Sequence, residues 1–218
     1  PSGEQFPLPE AADYGPELER LAKLVAQARA EGKEIVVVMG VGFVGAVMAA
    51  IIADTVDKES GQPSKFVIGC QRPSSRSYWK IPLLNRGISP VKAEDPEVDP
   101  MIARCVNDKK TLTATFNSDC LALADCVVVD VQCDYTKHEL GNMRSGDAEM
   151  SALEATMRTI GHSFSMAVVT LVVSSEIGNV SLAAAKTTSI TDAMRDSFAI
   201  FFVLCVVGVW FSLKRRKT

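Results

Sequence analysis

The sequence of 218 residues predicts an α/β fold, a Rossmann-like doubly wound parallel sheet with an apolar C-terminal helical tail. Strand-like and helix-like segments alternate along most of the chain, as in parallel sheets. Residues 40–45 read Gly-Val-Gly-Phe-Val-Gly between a β-branched run and an apolar run. Charged residues become sparse after Ser163. We therefore expect a lead-in and helix over residues 1–32, a Rossmann-like domain over 33–162 and a tail over 163–218.

Hydrophobic periodicity assigns the elements in order. Leucines and valines at helical spacing predict a helix over residues 17–31, which Gly32 terminates. Residues 35–39 are continuously apolar and β-branched, as in a strand buried on both faces. The remaining predicted elements are a helix over 46–54, a strand over 66–68, a mixed segment over 76–85 before a turn at Gly87, a helix over 96–107, an edge-like strand over 111–116, a helical turn over 119–124, a strand over 126–131 and an amphipathic helix over 149–160 with Met150, Leu153, Met157 and Ile160 on one face.

Composition excludes some classes of function. The net charge of −3 leaves no broad basic surface, so nucleic-acid binding is not expected. The six cysteines form no CxxC pair and the chain has two histidines, so the spacing predicts no metal site. Free thiols in a reducing cytoplasm are the expected state of these cysteines.

The glycine-rich loop is the main functional motif. Gly40 permits a tight turn, Gly42 lets the backbone approach a pyrophosphate, and Gly45 lets the following helix pack closely on the strand. The unpaired N–H groups and the dipole of that helix favour an anion at its N-terminus. A strand-to-helix turn without a ligand is the alternative interpretation of the same glycines.

The end of the second predicted strand bears on the choice of cofactor. Rossmann domains that bind NAD usually place a carboxylate there for the adenosine ribose. This chain has Gln71 and Arg72 at that point. Gln71 is able to hydrogen-bond a ribose hydroxyl, whereas Arg72 suits adenine stacking, a 2′-phosphate or plain solvent exposure. We favour NAD as the cofactor and leave NADP open.

Several segments, in their order, resemble the UDP-glucose/GDP-mannose dehydrogenase family over residues 33–162. They are the loop at 40–45, Leu-Asn-Arg-Gly-Ile-Ser-Pro at 84–90, Glu-Asp-Pro at 94–96, the run at 112–125 and the helix at 150–161 ending in Arg-Thr-Ile-Gly. The resemblance implies an NAD-binding domain of an oxidoreductase that converts the C6 alcohol of a UDP- or GDP-sugar to the uronate, a step of polysaccharide biosynthesis. It also implies these cofactor contacts: Gly40, Gly42, Phe43, Val44 and Gly45 at the pyrophosphate, Lys80 at the ribose, and Cys133 at the position of the family's nicotinamide-side threonine.

The sequence departs from the family pattern in three places. Residues 73–79 are interpreted as an insertion, and residues 131–134 replace the family's Val-Pro-Thr-Pro. Residues 172–176 match the family's Ser-Thr-x-x-Pro-Gly-Thr motif only weakly. The family's nucleophilic cysteine belongs to a downstream domain that we expect this chain to lack, and Cys133 is interpreted as a small buried thiol. We therefore assign no catalytic residue and expect no turnover or sugar binding without a catalytic domain.

The C-terminal tail, residues 163–218, suggests contact with a membrane or with another protein. Residues 198–213 carry no charge, are followed by Lys-Arg-Arg-Lys, and as a helix span about 24 Å. A hairpin with residues 164–185 as its first span keeps the basic end and the nucleotide domain in the cytoplasm. This hairpin weakly resembles the last helices of a major-facilitator transporter, which raises the possibility of a fused reading frame. A protein partner would also cover such a tail, and so would its burial as a strand and helix that complete the core.

Two interpretations of the whole chain therefore remain. The first is the cofactor-binding half of a nucleotide-sugar dehydrogenase, and the second is a membrane-tethered nucleotide-binding or scaffolding module without turnover. Membrane contact through residues 197–213 and homo-oligomerisation are left open by the sequence.

Overall fold

A computed structural model describes residues 4–131, 135–136, 147–148, 150–177 and 187–215. The chain divides into two compact units, Pro1–Ser163 and Phe164–Thr218. The predicted lead-in helix lies within the first unit, where it packs on the sheet.

The first unit is built on a parallel sheet with strand order β3-β2-β1-β4. The strands are β1 (Glu34–Met39), β2 (Lys65–Cys70), β3 (Leu112–Thr115) and β4 (Cys126–Val129). Two-residue strands β5 (Tyr135–Thr136) and β6 (Asp147–Ala148) form a separate antiparallel pair. The order 3-2-1-4 is that of half a Rossmann sheet, which confirms the predicted fold class, and β3 lies at an edge as expected.

The helices are α1 (Tyr14–Ala30), α2 (Phe43–Asp54), α3 (Lys80–Asn85), α4 (Val98–Ala103), α5 (Ser151–Ile177) and α6 (Thr187–Arg215). Gly32 has φ +77° just after α1, as a left-handed helix terminator requires. The predicted helix over 96–107 is shorter than expected, because α4 gives way to a wider π turn over Arg104–Asp108. A 3₁₀ turn over Ser118–Leu123 replaces the predicted helical turn at nearly the same residues.

Alternating side chains of β1 contact different helices. Ile35, Val37 and Met39 pack with the buried face of α1, whereas Val36 and Val38 pack with α2 on the opposite side of the sheet. The buried face of α2 is made of alanines, at positions 46, 49, 50 and 53, each with no exposed surface. Small side chains let the helix axis lie close to the sheet, so the N-terminus of α2 is held near the end of β1.

A cluster of charges fixes the other end of α2. The guanidinium of Arg104 donates two hydrogen bonds, of 3.0 and 2.8 Å, to the carboxylate of Asp54, the last residue of α2. The ammonium of Lys109 lies 2.7 Å from the same carboxylate. Arg104 also pairs with Glu97 at 2.7 Å. These bonds, that from Arg104 first, hold the pKa of Asp54 well below its usual range.

The two long C-terminal helices correct several predictions. One continuous helix, α5, covers the predicted helix at 149–160 and continues to Ile177, so the alternative of a strand completing the core is wrong. The predicted first span over residues 164–185 begins inside α5, and its residues 178–185 lie outside the described part of the chain. The predicted buried face of this helix is also partly wrong: Met157 is 55% exposed, whereas Thr156 and Ser163 are buried.

We predict that Asp54→Asn lowers the free energy of unfolding at neutral pH by about 1–2 kcal/mol, because two cations then face a neutral amide at a partly exposed site. The folded-state pKa of Asp54 is lowered, so its stabilisation is present at neutral pH and is lost as the pH falls below about 4 toward the folded-state value. Urea unfolding at a series of pH values measures this. Glu59→Gln, an equal charge change at an exposed residue, is the control. Equal losses in both variants would contradict the prediction.

Candidate cofactor site at the end of the first strand

The glycine loop begins where β1 ends beside β4. Gly40 has φ +98°, a conformation that residues with side chains rarely adopt. A Cβ atom at this position would lie 1.9 Å from the backbone oxygen of Asp130, which directly follows β4. The N–H of Gly40 donates to the carbonyl oxygen of Cys70 at 2.8 Å. Neighbouring main chains therefore enclose this residue, and no other amino acid fits there.

The other two glycines of the loop have different surroundings. A Cβ atom at Gly45 would lie 1.9 Å from the oxygen of Gly40, so this glycine permits the close contact between α2 and the loop. A Cβ atom at Gly42 would meet nothing within 4 Å. Gly42 borders open space, and no contact among the described residues requires a glycine at this position.

The loop runs directly into the helix. We expected α2 to begin at residue 46, but it begins at Phe43, so three loop residues form its first turn. The N–H of Ala46 donates to the oxygen of Gly42 at 3.2 Å and closes that turn. Phe43 is 64% exposed and Val44 53% exposed. The N–H groups of a first helical turn have no partner within the helix and carry a partial positive charge, so an anion is favoured here.

The side chain of Gln71 is hydrogen-bonded to the glycine loop. Its side-chain oxygen accepts a hydrogen bond of 3.1 Å from the N–H of Val41, a residue with no exposed surface. Its own backbone N–H donates to the oxygen of Thr115 at 2.9 Å. The side-chain oxygen is thus already used within the protein. The side-chain NH₂ group donates to the oxygen of Arg72 at 3.5 Å and keeps a second hydrogen for a ribose hydroxyl.

Arg72 and Lys80 are separated by a compact turn. Arg72 is exposed, and among the described residues no carboxylate forms an ion pair with it. The predicted insertion at 73–79 folds back on itself, with the N–H of Tyr78 bonded to the oxygen of Ser74 at 2.9 Å. Lys80 is the first residue of α3, with its ammonium 5.9 Å from the centre of the Trp79 ring. The described contacts place Gln71 against the glycine loop but bring neither Arg72 nor Lys80 to it.

Asp130 is a residue of the site that sequence reasoning missed. One of its carboxylate oxygens would lie 2.7 Å from a Cβ atom at Gly45, so a negative charge already lies beside the first turn of α2. The pairing of Met39 with Val129 in the parallel sheet places residue 130 opposite Gly40. That register was the available signal, since both residues directly follow apolar runs. Cys133 lies outside the described residues.

Motifs that resemble the dehydrogenase family act structurally. The side-chain amide of Asn85 donates to the oxygen of Ala114 at 2.9 Å and accepts from its N–H at 2.6 Å, which attaches α3 to the edge strand β3. The carboxylate of Asp125 accepts from the N–H of Ile35 at 2.8 Å and pairs with Arg29. The bond from Ile35 is the main cause of the lowered pKa of Asp125. These residues position β1 and β3 and do not themselves form a ligand site.

The described cysteines are free thiols, as predicted. Burial raises the pKa of Cys105 to about 11, and the contact with Cys70 together with burial raises that of Cys120. Thiols with raised pKa values are poor nucleophiles at neutral pH. Within the described residues, no group of three or more histidine, cysteine, aspartate or glutamate side chains is arranged to hold a metal ion.

Substitution of Gly45 is predicted to lower the stability much more than substitution of Gly42. Gly45→Ala should lower the free energy of unfolding by at least about 2 kcal/mol, because the methyl group would collide with backbone that cannot move independently. Gly42→Ala should cost less than about 1 kcal/mol, the loss expected at a helix N-cap. Chemical denaturation of both variants tests this, and similar losses would show that the loop geometry is wrong.

Comparisons with known proteins find similarity among solved structures. No family model matches the sequence, and no curated protein matches it. The NDP-N-acetyl-D-galactosaminuronic acid dehydrogenase from Methanosarcina mazei Go1 is similar at 29% identity over 65% of this chain and 27% of that one, with a TM-score of 0.49. The GDP-mannose dehydrogenase from Pseudomonas aeruginosa has 24% identity over 59% and 25% of the two chains, with a TM-score of 0.46.

A UDP-D-ManNAc dehydrogenase from Pyrococcus horikoshii is similar at 22% identity over 59% of this chain and 25% of that chain, with a TM-score of 0.43. The similar segment thus spans about a quarter of the length of these structures. All three structures are nucleotide-sugar dehydrogenases, the class of protein that residues 33–162 resemble in sequence, and the similarity covers 59–65% of this chain.

Proposed function

We propose that the first unit binds NAD through the loop at residues 40–45 and acts as the cofactor-binding half of a nucleotide-sugar dehydrogenase. The observation that carries the proposal is the position of the loop. It follows the carboxyl end of β1, and the strand order reverses between β1 and β4 at that point. Ligands of open α/β sheets bind in the crevice at such a reversal.

The surroundings of the glycines fit a pyrophosphate. Gly40 and Gly45 bring two segments of backbone together, and Gly42 presents backbone to open space. A dinucleotide needs that open approach, because its phosphates bind main-chain N–H groups directly. The N–H of Val41 is held by Gln71, so the donors for the phosphates come from the first turn of α2, at Phe43, Val44 and Gly45.

Asp130 sets a condition on this binding. Its carboxylate lies beside the same helical turn that would receive the pyrophosphate, and two negative groups close together repel each other. The positive end of the α2 dipole offsets part of this repulsion. The arrangement therefore favours an extended cofactor whose phosphates lie over Gly42, on the open side of the turn.

The first unit and a separate catalytic domain would contribute different parts of the reaction. Bound NAD supplies the hydride acceptor, and the residues of this unit bind and orient it. The resemblance in sequence extends the proposal to a UDP- or GDP-sugar, whose C6 alcohol would be oxidised with a cysteine supplied by a catalytic domain. Without that domain we expect no turnover, because hydride transfer requires both reactants to be held in contact.

The binding proposal is tested by fluorescence titration with NADH. We expect saturable binding by the wild-type chain and at least tenfold weaker binding by Gly42→Ala, because its methyl group would occupy the approach of the pyrophosphate. Gly15→Ala is the matched control, since its Cβ atom also meets nothing within 4 Å but lies on α1. Absence of saturable binding at millimolar NADH, or equal binding by the Gly42 variant, would refute the proposal.

The choice between NAD and NADP is tested at Arg72. We propose NAD, because Gln71 retains an amide donor for a ribose hydroxyl and the described contacts do not bring Arg72 to the glycine loop. Dissociation constants for NADH and NADPH should then be similar or favour NADH, and Arg72→Ala should change neither by more than about threefold. Arg76→Ala, at another exposed arginine of the adjacent turn, is the control. An NADPH preference of at least tenfold that Arg72→Ala removes would show that the cofactor is NADP.

A further inference from the structure

Between Phe198 and Trp210 the outer surface of α6 is apolar on every side. Phe198 and Phe202 are each 70% exposed, and the exposed side chains continue around and along the helix to Trp210. On α5, Leu171 is 72% exposed. Both helices are long and apolar enough to cross a membrane. We propose that α5 and α6 cross a lipid bilayer as a helical hairpin, an inference that does not depend on cofactor binding.

The contact between the two helices leaves their outer surfaces free. An apolar cavity of about 360 Å³ lies between them, lined by side chains that include Val169 and Val173 of α5 and Phe201 of α6. Met194 and Phe198 of α6 also line this cavity and are still more than half exposed, so the contact between the helices covers them only in part. The helices pair with each other and still present apolar side chains outward, as two membrane-spanning helices do.

The uncharged stretches match in length. Residues 159–175 of α5 and residues 197–213 of α6 contain no aspartate, glutamate, lysine or arginine. Each stretch is about 25 Å long as a helix, against a hydrocarbon core of about 30 Å. At the start of the α5 stretch, Ile160 packs on the core of the first unit. Long basic side chains and local thinning of the bilayer accommodate a deficit of this size.

Charged groups lie at the ends of the uncharged stretches. Arg195 pairs with Asp192 at 2.9 Å and with Asp196 at 3.2 Å, just before the uncharged stretch of α6. The sequence Lys-Arg-Arg-Lys at 214–217 follows it directly. Basic residues at the end of a span favour anionic lipid headgroups and the cytoplasmic side. Two crossings return the chain to the side it left, so residues before 159 share the side of that basic cluster.

A protein partner explains these observations less well. A helix that docks in a groove has one apolar stripe and a polar opposite face. The exposed apolar side chains of α6 are not confined to one stripe, and both helices are about one-tenth buried over their apolar windows. Only an apolar medium covers such a surface on every side. A second copy of the chain would cover part of it, and the experiment distinguishes that case.

The test is synthesis of the full chain in the presence of vesicles of phosphatidylcholine with a minority of phosphatidylglycerol. We expect the wild-type chain to float with the vesicles in a density gradient and to remain bound after alkaline carbonate washing. The double variant Phe202→Lys/Val206→Lys should lose at least tenfold of the floated fraction, because its new charges lie within the span. The control Ile51→Lys/Ile88→Lys adds the same charge at exposed positions of the first unit and should float like the wild type.

The depth of Trp210 provides a second measurement. In Trp79→Phe, Trp210 is the sole tryptophan, and lipids brominated near the headgroup should quench its fluorescence more than lipids brominated at the chain ends. Release of the wild-type chain by carbonate, sedimentation without vesicles, or a soluble oligomer that does not float would each overturn the proposal. Absence of quenching by either lipid would overturn it as well.

Discussion

The close approach of β1 and β4 at their carboxyl ends is the constraint on which the first unit depends. The backbone oxygen of Asp130 occupies the space where a side chain of residue 40 would begin, and the oxygen of Gly40 does the same for residue 45. Three segments of main chain therefore meet with no side chain between them. The start of α2, the end of β1 and the end of β4 are fixed relative to one another by this contact. The opening above Gly42 exists because its neighbours are held in this way.

The helices are held to the sheet so that this contact is maintained. The alanine face of α2 sets a short distance to β1 and β2, and the ion pairs of Asp54 hold the far end of the helix to the π turn after α4. The carboxylate of Asp125 accepts a hydrogen bond from the N–H of Ile35 and so fixes the start of β1. The side-chain oxygen of Gln71 accepts one from the N–H of Val41 and so fixes the loop after β1. Polar side chains thus act at the ends of strands, where backbone groups lack partners in the sheet.

The sequence predicted the sheet because its signals there are local. Continuous β-branched runs and a glycine loop between a strand and a helix have few competing interpretations. Prediction failed where a residue's role depends on distant contacts. The start of α2 was predicted three residues too late, since glycine disfavours helix and the first turn is formed by contact with β1 and β4. The bond from Gln71 to the loop depends on a side-chain rotamer, which no pattern encodes. Met157 was predicted to be buried because it is apolar, yet Thr156 occupies the buried position.

Within the helix α5 the sequence changes from a charged to an uncharged composition. Its first turns carry Glu154 and Arg158, whose side chains are exposed and 4.0 Å apart. Beyond Arg158 no aspartate, glutamate, lysine or arginine occurs until Glu176, although the helix continues without a break. In the first unit the large side chains of the strands point into cores on both faces of the sheet. In the second unit equally large side chains point outward. Folding in water favours the first arrangement and opposes the second, because each exposed phenylalanine forgoes about 1.5–3 kcal/mol of burial energy. Such a surface is therefore unfavourable in water, and contact with apolar groups removes that cost.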